Sequence, residues 1–544
     1  MNQYSSWIKQ YFYKRNRIML GQQLNVRLQE EFKVTPVYAR KIIQRAIDDH
    51  VIKSSAPVTF GKGQYIYYYH NSTLQKSDIL QVAEKERPPM YRLLTAIDKC
   101  NGVISYYEAL KIAASPLDGS KTKMDTLPRI LADLYKLRLV KEIMHDGIKF
   151  IVEDYFSEDH AVQAILSHKS NMVLDCAFLP DMLKWLTLHN LLDSQSYIYR
   201  NKVFPSKGAE QNNFIWDAFA YTKTTGYNTV VSSNRTTIDK QMLVVLDMVI
   251  HREYDSVDVQ GLYNRIQGVL QSSKNTRKVL PIVITGDTTI TATKQLRSLG
   301  FLHFGISTIY GERVFEIISN LKKIQQVQLL QYSESDDQLT EYVENALHTM
   351  QEGGQEGNLQ NIKGDLFEVL LYPLIKALYP NGSFEANKIY KDTTQEGHKF
   401  PHEFDAIVID RNLKEVIVFE LKGHKSSSFI NVGPYTKRDT VKWFFNNTFA
   451  WAKKHLESEN QNFKISACYI TSARFTNESL ELLQGYNKGN LKPQLAELYY
   501  DGYGLLQLAQ SRGFNHISKI LKKYYIEMSD FDQTFNSKYI GIDG

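Results

Sequence analysis

The chain has 544 residues, of which 43% are hydrophobic and 23% are charged, and its formal net charge is +6 at pH 7. This length suits three or four domains with separate cores, and the composition excludes disordered and membrane-spanning proteins, since no apolar run approaches the roughly 18–20 residues that cross a bilayer. The three cysteines are scattered without metal-ligand spacing, which argues against a zinc finger and favours a reducing, cytoplasmic location.

Residues 1–80 contain 12 lysine and arginine residues against five acidic ones, and they lack the apolar core of a secretory signal. Apolar spacing predicts helices from Leu20 to Glu31 and from Pro36 to Asp49, followed by a glycine-rich turn and a strand. This order resembles a winged helix, whose basic face would bind double-stranded DNA. The side chains expected to meet nucleic acid are Arg40, Lys41, Gln44, Arg45 and Lys62. The alternative is a solvated basic face without a partner.

Residues 85–155 are predicted to repeat that order. Helices are expected from Tyr91 to Cys100 and from Tyr106 to Ala114, and a third opens at Thr126. A hairpin with an Asp146-Gly147 turn follows. The segment resembles a second winged-helix-like domain. This copy has two possible roles. It either binds DNA as well or, because its third helix is less basic, acts only as a packing module.

Residues 157–325 are predicted to form an α/β domain. Asp217 follows a tryptophan, and Asp247 lies within the apolar strand from Leu243 to Val249. A helix and a further apolar strand come next. Residues 326–357 are polar and acidic, and they are expected to be a linker that carries only a short helix.

Three ionisable side chains on two adjacent strands organise residues 358–490. The segment Glu415–Gly423 alternates, so Glu420 and Lys422 share one face of an otherwise apolar strand. Asp405 begins the preceding strand, and a short connection makes a hairpin that sets it beside Glu420 and Lys422. Two carboxylates this close repel unless a cation lies between them, and such oxygen ligands suit Mg²⁺. The ion can acidify water while an ammonium group positions it, which is a chemistry for phosphodiester hydrolysis.

This hairpin resembles the PD-(D/E)XK nuclease superfamily, the fold of many restriction endonucleases. Asp405 matches the first acid of the motif, Glu420-Leu421-Lys422 matches the (D/E)XK triplet, and Glu368 matches the acid often found on the preceding helix. The resemblance implies metal ligation by Asp405 and Glu420, with Glu368 as a candidate third ligand and Lys422 placing the attacking water. It implies Mg²⁺ as cofactor, with Mn²⁺ able to substitute. A phenylalanine stands where the motif has its proline, as in many members.

The domain at 157–325 repeats this pattern in altered form, with Asp217 and Asp247 at positions like those of the two strand acids. Val249 stands where the lysine would be, and the link between the acids is twice as long. Without an ammonium group to place water, this copy is expected to be a degenerate nuclease-like domain used for structure or DNA binding. The alternative is an ordinary α/β domain whose likeness reflects only strand composition.

A helix from Thr436 to Leu456 carries Arg438 and Lys442 one turn apart, and both are candidate phosphate contacts near the site. Residues 491–544 are expected to be a helical C-terminal segment and a polar tail, for which the sequence indicates no role.

The sequence therefore predicts a multi-domain α/β protein, with tandem winged helices, a degenerate nuclease-like domain and a C-terminal PD-(D/E)XK restriction-endonuclease-like domain. We expect a Mg²⁺-dependent endonuclease that cuts double-stranded DNA in restriction or anti-phage defence. Cutting both strands with one site per chain would need a homodimer or a partner subunit. Two alternatives stay open: a DNA-binding regulator or assembly scaffold with an inactive nuclease fold, and a partner-activated nuclease acting on RNA.

Overall fold

The chain is a mixed α/β protein, and the computed structural model divides it into two compact units. The first comprises Met1–Lys169, Asn190–Arg200 and Ser206–Phe304. The second comprises Ser170–His189, Asn201–Pro205 and Gly305–Gly544. The structure describes residues 3–15, 18–118, 125–193, 197–222, 241–271, 278–330, 336–390, 402–434, 440–460 and 462–530. Within these stretches, none of the helices combines the length and apolarity needed to cross a membrane.

The first unit begins with three helices and a three-stranded antiparallel sheet of order β1-β3-β2. They are α1 (Gln3–Arg15), β1 (Met19–Leu20), α2 (Gly21–Phe32), α3 (Pro36–Asp48), β2 (Ile52–Ser54) and β3 (Ile66–Tyr69). Helix α3 begins where predicted, because Thr35 accepts a hydrogen bond from the Tyr38 N–H and Pro36 takes the first helical position. Helix α1 was not predicted, and it buries Ile8 and Phe12 against the same core.

A second set of helices and a three-stranded antiparallel sheet of order β4-β6-β5 follows. The elements are α4 (Lys76–Glu86), α5 (Pro88–Lys99), β4 (Val103–Ser105), α6 (Tyr106–Ala113), α7 (Leu127–Lys136), β5 (Val140–His145) and β6 (Ile148–Glu153). The predicted hairpin turn is confirmed: Asp146 and Gly147 both have positive φ, as a two-residue turn matched to the strand twist requires.

The remainder of the first unit is built on a five-stranded sheet of order β13-β12-β11-β10-β7. Two helices precede it in the chain: α8 (Glu158–Ala177), whose residues are divided between the two units, and α9 (Leu179–Leu188), which belongs to the second. The remaining elements are β7 (Ile198–Tyr199), β8 (Ala209–Gln211), β9 (Phe214–Trp216), β10 (Ala218–Thr222), β11 (Met242–Tyr254), α10 (Ser256–Gln271), β12 (Val279–Thr288), α11 (Ile290–Ser298) and β13 (Leu302–Gly305). Strand β10 is antiparallel to both of its neighbours, whereas β11 and β12 are parallel.

The second unit contains another five-stranded sheet, of order β14-β15-β16-β18-β20. Its elements are α12 (Ile306–Tyr310), α13 (Val314–Leu330), α14 (Asp336–Glu352), α15 (Gln360–Leu378), β14 (Ser383–Tyr390), β15 (His402–Asp410), β16 (Glu415–Lys422), β17 (Phe429–Ile430), α16 (Val441–Trp443), α17 (Phe449–Glu459), β18 (Lys464–Thr471), β19 (Arg474–Phe475), α18 (Asn477–Lys488), β20 (Tyr499–Tyr500), α19 (Gly502–Ser511) and α20 (Asn515–Tyr524). A π-helical turn joins α16 to α17, and a short 3-10 turn follows α20.

The two large sheets share the same pairing of their second, third and fourth strands in chain order. In both, an antiparallel pair (β10–β11 and β15–β16) is followed by a parallel neighbour (β12 and β18). The stretch expected as a linker differs from the prediction. Helix α14 runs for 17 residues and buries Leu339, Val343 and Leu347 in the second unit. Its apolar residues recur every three to four positions, and this periodicity outweighs its polar composition.

Candidate active site

Strands β15 and β16 bring Asp405, Glu420 and Lys422 together at one end of the sheet in the second unit. Ala406 pairs with Phe419 in antiparallel register, so Asp405 lies across from Glu420. The Lys422 Nζ atom lies 2.9 Å from Asp405 Oδ2 and 3.0 Å from Glu420 Oε1. Although burial of Lys422 favours its neutral form, Asp405 and Glu420 raise its pKa well above the ordinary value. The amine is therefore a charged ammonium held between two carboxylates.

Helix α15 adds two acids, Asp365 and Glu368, which lie one turn apart. Burial raises the pKa of Glu368 well above its ordinary value, and the charges of Asp405 and Asp365 add to this effect. The ammonium groups of Lys202 and Lys422 act in the opposite direction without cancelling it. Lys202 is ion-paired with Asp365. Glu368 therefore faces the same charge cluster as the strand acids.

The position of α15 is fixed at its start and along its side. Its first residues have no capping side chain of their own, but the buried Asp181 carboxylate accepts hydrogen bonds from the backbone N–H of Asn361 at 3.1 Å and of Ile362 at 3.2 Å. Near the end of β16, a Cβ on Gly423 would lie 2.6 Å from the Cβ of Phe367, so only glycine permits this approach. The helix can thus hold Glu368 close to the hairpin.

The charge of the cluster fits a hard divalent cation. Four carboxyl groups (Asp365, Glu368, Asp405 and Glu420) face two ammonium groups (Lys202 and Lys422), so the fully ionised cluster has 4 − 2 = 2 uncompensated negative charges. Carboxylate oxygens are also the ligand type that Mg²⁺ prefers. Among the described residues, no three or more histidine, cysteine, aspartate or glutamate side chains are arranged to hold a metal ion. In the arrangement seen, Lys422 itself bridges two of the acids.

The first unit contains a related cluster in which cations already bridge the acids. We call it the Lys111 cluster, and its members are Lys111, Arg200, Asp217, Asp247 and Arg265. Lys111 is ion-paired with Asp217 and lies 3.6 Å from Asp247 Oδ1. Arg200 Nη1 lies 3.2 Å from Asp217 Oδ1, and Arg265 Nη2 donates to Asp247 Oδ2 at 2.6 Å. All five residues are at most 5% exposed. Arg200 Nη2 also lies 3.5 Å from Glu108 Oε1, so three cations are shared among three acids in a buried site.

The two clusters share one backbone contact. In the first unit the Met248 N–H donates to Asp217 Oδ2 at 2.8 Å, and in the second the Leu421 N–H donates to Asp405 Oδ2 at 2.7 Å. In each case the donor immediately follows the acid on the neighbouring strand. The likeness proposed from the sequence thus extends to local geometry. The two clusters differ in the origin of their lysine. The apolar Val249 occupies the strand position that corresponds to Lys422, and the lysine of the first cluster, Lys111, lies on α6.

The predicted nucleic-acid contacts fall into separate places. Arg40, Lys41, Gln44 and Arg45 are exposed on α3, where Gln44 donates to Asp48 at 3.0 Å. Lys62 is exposed in the turn before β3. In the second unit, Lys442 is half-buried in the short helix α16, and Arg438 lies outside the described residues. The α3 residues form one basic face.

Two residues of the site were not identified from the sequence. Asp365 had a usable signal, because it precedes Glu368 by three residues on one helix and so shares its face. Lys202 had none, since it lies more than 160 residues before its partner Asp365 in a stretch without regular structure. Only the tertiary fold joins the two.

The interpretation of this site depends on its own residues. They are an acid on each of two paired strands, a lysine between them and an acidic helix face beside them. No protein-family model, curated protein or solved structure matches the chain.

Proposed function

We propose that the chain is a metal-dependent endonuclease whose active site contains Asp405, Glu420 and Lys422. The observation that carries the proposal is the contact of one ammonium group with both strand acids, at 2.9 and 3.0 Å, beside the acidic face of α15. Oxygen ligands, an adjacent ammonium group and a buried, negatively charged setting are together the requirements of phosphodiester hydrolysis with a hard cation.

The chain's own residues have separate roles in this proposal. Asp405 and Glu420 would hold Mg²⁺ or Mn²⁺, with Glu368 as a third oxygen donor, and the bound ion would supply Lewis-acid stabilisation of the phosphoryl charge. Lys422 would donate hydrogen bonds to the attacking water and hold it against the phosphorus. The Leu421 N–H and the Lys422 ammonium both donate to Asp405 Oδ2, at 2.7 and 2.9 Å, and so hold this carboxylate in place.

The finer architecture belongs to the same proposal. The helix and strand order of α1 to β3 supports a winged helix, that of α5 to β6 supports a second one, and the two large sheets support a degenerate and an intact PD-(D/E)XK-like domain. The exposed basic face of α3 favours duplex DNA as substrate. A role in restriction or anti-phage defence rests on analogy between folds. One site per chain implies a homodimer or a partner subunit for cutting both strands.

The test is cleavage of supercoiled plasmid and linear duplex by the full chain with Mg²⁺ or Mn²⁺, comparing wild type with Glu420→Gln. We expect nicking or cutting by wild type and a loss of at least about 100-fold in the variant, because one ligand carboxylate becomes a neutral amide. Glu457→Gln, an exposed change in the same unit, serves as the control. Equal cleavage by wild type and Glu420→Gln would disprove this assignment of the site.

A second function has one specific observation in its favour. In both units the acids are already bridged by a lysine, Lys422 in one and Lys111 in the other. A chain that neutralises its acids internally could serve as a DNA-binding regulator or scaffold. Under that function, no metal would support cleavage, while wild type and Glu420→Gln would shift duplex DNA equally in a gel.

DNA binding itself gives a separate prediction for the basic face of α3. Lys41→Ala and Arg45→Ala should each weaken duplex binding at all sequences and lower the slope of log Kd against log salt by about 1, because each removes one phosphate contact. Fluorescence anisotropy in EDTA across a KCl series measures both without cleavage. Arg27→Ala on α2, where Arg27 pairs with Glu30, is the matched control. Unchanged slopes in both α3 variants would remove this face from the DNA interface.

A further inference from the structure

A small cavity lined by both apolar and charged residues lies beside the Lys111 cluster in the first unit. Its volume is about 20 Å³, which is room for roughly one water-sized molecule. The residues that matter here are Cys100, Glu108, Asp247, His251, Arg252 and Arg265. Asp247 Oδ1, Arg252 Nε and Arg265 Nε are buried and have no hydrogen-bond partner among the described residues. Buried polar atoms of this kind indicate a space that takes a small polar molecule.

Cys100 brings a thiol to this cavity from the end of α5, where it is half-buried. His168 and His251 lie near enough to the thiol to lower its pKa, and His251 lines the same cavity. The Nε2 atom of His168 lies 2.6 Å from Glu108 Oε2. Cysteine, histidine and glutamate therefore form a connected series drawn from α5, α8 and α6. This is the arrangement in which an acid orients an imidazole and the imidazole activates a thiol.

The charged groups that face the thiol come from every element packed around it. They are Lys99, which is ion-paired with Asp255; Glu108 and Lys111 on α6; His168 on α8; Asp247, His251 and Arg252 on β11; and Asp258 and Arg265 on α10. Burial alone would raise the pKa of Cys100, but the hydrogen bonds from His168 and His251 and the charge of Arg252 lower it to about 6. Burial likewise opposes protonation of His168, yet Glu108 and Cys100 raise its pKa to about 10. At pH 7 the pair is a thiolate and an imidazolium.

We propose that Cys100 is a peroxide-reactive thiol, a site of oxidation to sulfenic acid that is separate from the proposed nuclease site. The thiolate Sγ attacks one oxygen of hydrogen peroxide, so that the S–O bond forms as the O–O bond breaks. The leaving hydroxide takes the proton of the His168 imidazolium and becomes water, while Cys100 becomes a sulfenic acid. Sulfur loses two electrons and the peroxide gains them. The cavity of about 20 Å³ beside the thiol has room for only a very small oxidant.

The other two cysteines provide an internal comparison. Cys176 and Cys468 are 1% and 0% exposed, and burial raises the pKa of Cys468 well above its ordinary value. Both should be inert in the folded chain, because oxidation needs a thiolate that the oxidant can reach.

The test treats the folded full chain with hydrogen peroxide, destroys the remaining peroxide with catalase and then unfolds the chain in dimedone, which traps sulfenic acids. Peptide mass spectrometry quantifies all three cysteines. We expect labelling at Cys100 alone. Between pH 6.5 and 8 its rate should rise by only about 1.3-fold, whereas an ordinary thiol of pKa about 8.5 would rise by more than about 20-fold. Unlabelled Cys100, or a rate that follows the ordinary thiol, would overturn the proposal.

Two variants on α8 separate activation from simple exposure. His168→Gln removes the imidazolium, so the Cys100 rate at pH 7 should fall by about tenfold or more and regain the steep pH dependence. His160→Gln, the same change at an exposed position of the same helix, should leave both unchanged. Equal rates in the two variants would contradict the role of His168. If His168→Gln does not fold, the wild-type pH profile decides alone, with Cys100→Ser as the unlabelled background.

Discussion

Replacing Lys422 by methionine should lower Mg²⁺-dependent cleavage by about 10²- to 10⁴-fold, the range typical of a removed group that assists proton transfer or stabilises charge. Methionine keeps an unbranched side chain of similar length but removes the ammonium that lies 2.9 Å from Asp405 and 3.0 Å from Glu420. Supercoiled-plasmid nicking, followed over time at saturating Mg²⁺, measures the loss. Lys453→Met, an exposed change on α17, should cleave like wild type.

The same variant tests whether the acids form a cation site at all. Without the ammonium, two buried carboxylates face one another, so metal-free Lys422→Met should lose about 3–5 kcal/mol in its free energy of unfolding. Mg²⁺ should then raise its Tm more than that of wild type, because the ion no longer competes with Lys422 for Asp405 and Glu420. Cleavage at the wild-type rate would exclude Lys422 from the chemistry. If Mg²⁺ leaves the Tm of both proteins unchanged, the scaffold function is favoured.

The central hairpin could be predicted because its information is local. Alternating residues fix which side chains of a strand share a face, and a four-residue connection fixes the register, so Asp405 had to meet Glu420 and Lys422. The capped start of α3 and the Asp146-Gly147 turn were predictable for the same reason. Glu368 required only that one helix pack against that hairpin, which Gly423 permits.

The remaining contacts depend on chain segments that meet only in the folded units. Lys202 reaches Asp365, and Lys111 reaches Asp217 across more than 100 residues, and no spacing rule connects such pairs. Helix α1 was missed because its polar and aromatic residues give little amphipathic periodicity. The copy at Asp217 and Asp247 was expected to lack a lysine. It lacks one on the strand, but α6 supplies Lys111, and this could be found only from the structure.

Replacing Lys111 by methionine should destabilise the first unit by about 3–5 kcal/mol, because removing one partner of a buried ion pair leaves an uncompensated charge. Lys111 is 5% exposed, and its partners Asp217 and Asp247 are 1% and 3% exposed. Burial alone would raise the pKa of Asp247, but Arg265 and Lys111 lower it. Because its pKa is lowered in the folded chain, the ionised Asp247 stabilises the fold at neutral pH, and this stabilisation is lost as the pH falls through the folded pKa. The variant should therefore lose the most free energy of unfolding, relative to wild type, above pH 5.

Urea unfolding at pH 7, followed by tryptophan fluorescence and circular dichroism, measures the change. Lys136→Met, which alters an exposed lysine of the same unit, should unfold within about 0.5 kcal/mol of wild type. The double variant Lys111→Met/Asp217→Asn should recover part of the loss, since it removes the charge that Lys111 left behind. Recovery would identify charge as the cause. Equal loss in the single and double variants would instead assign the effect to packing of the Lys111 side chain. A Lys111→Met variant as stable as wild type would show that Arg200 and Arg265 suffice to neutralise both acids.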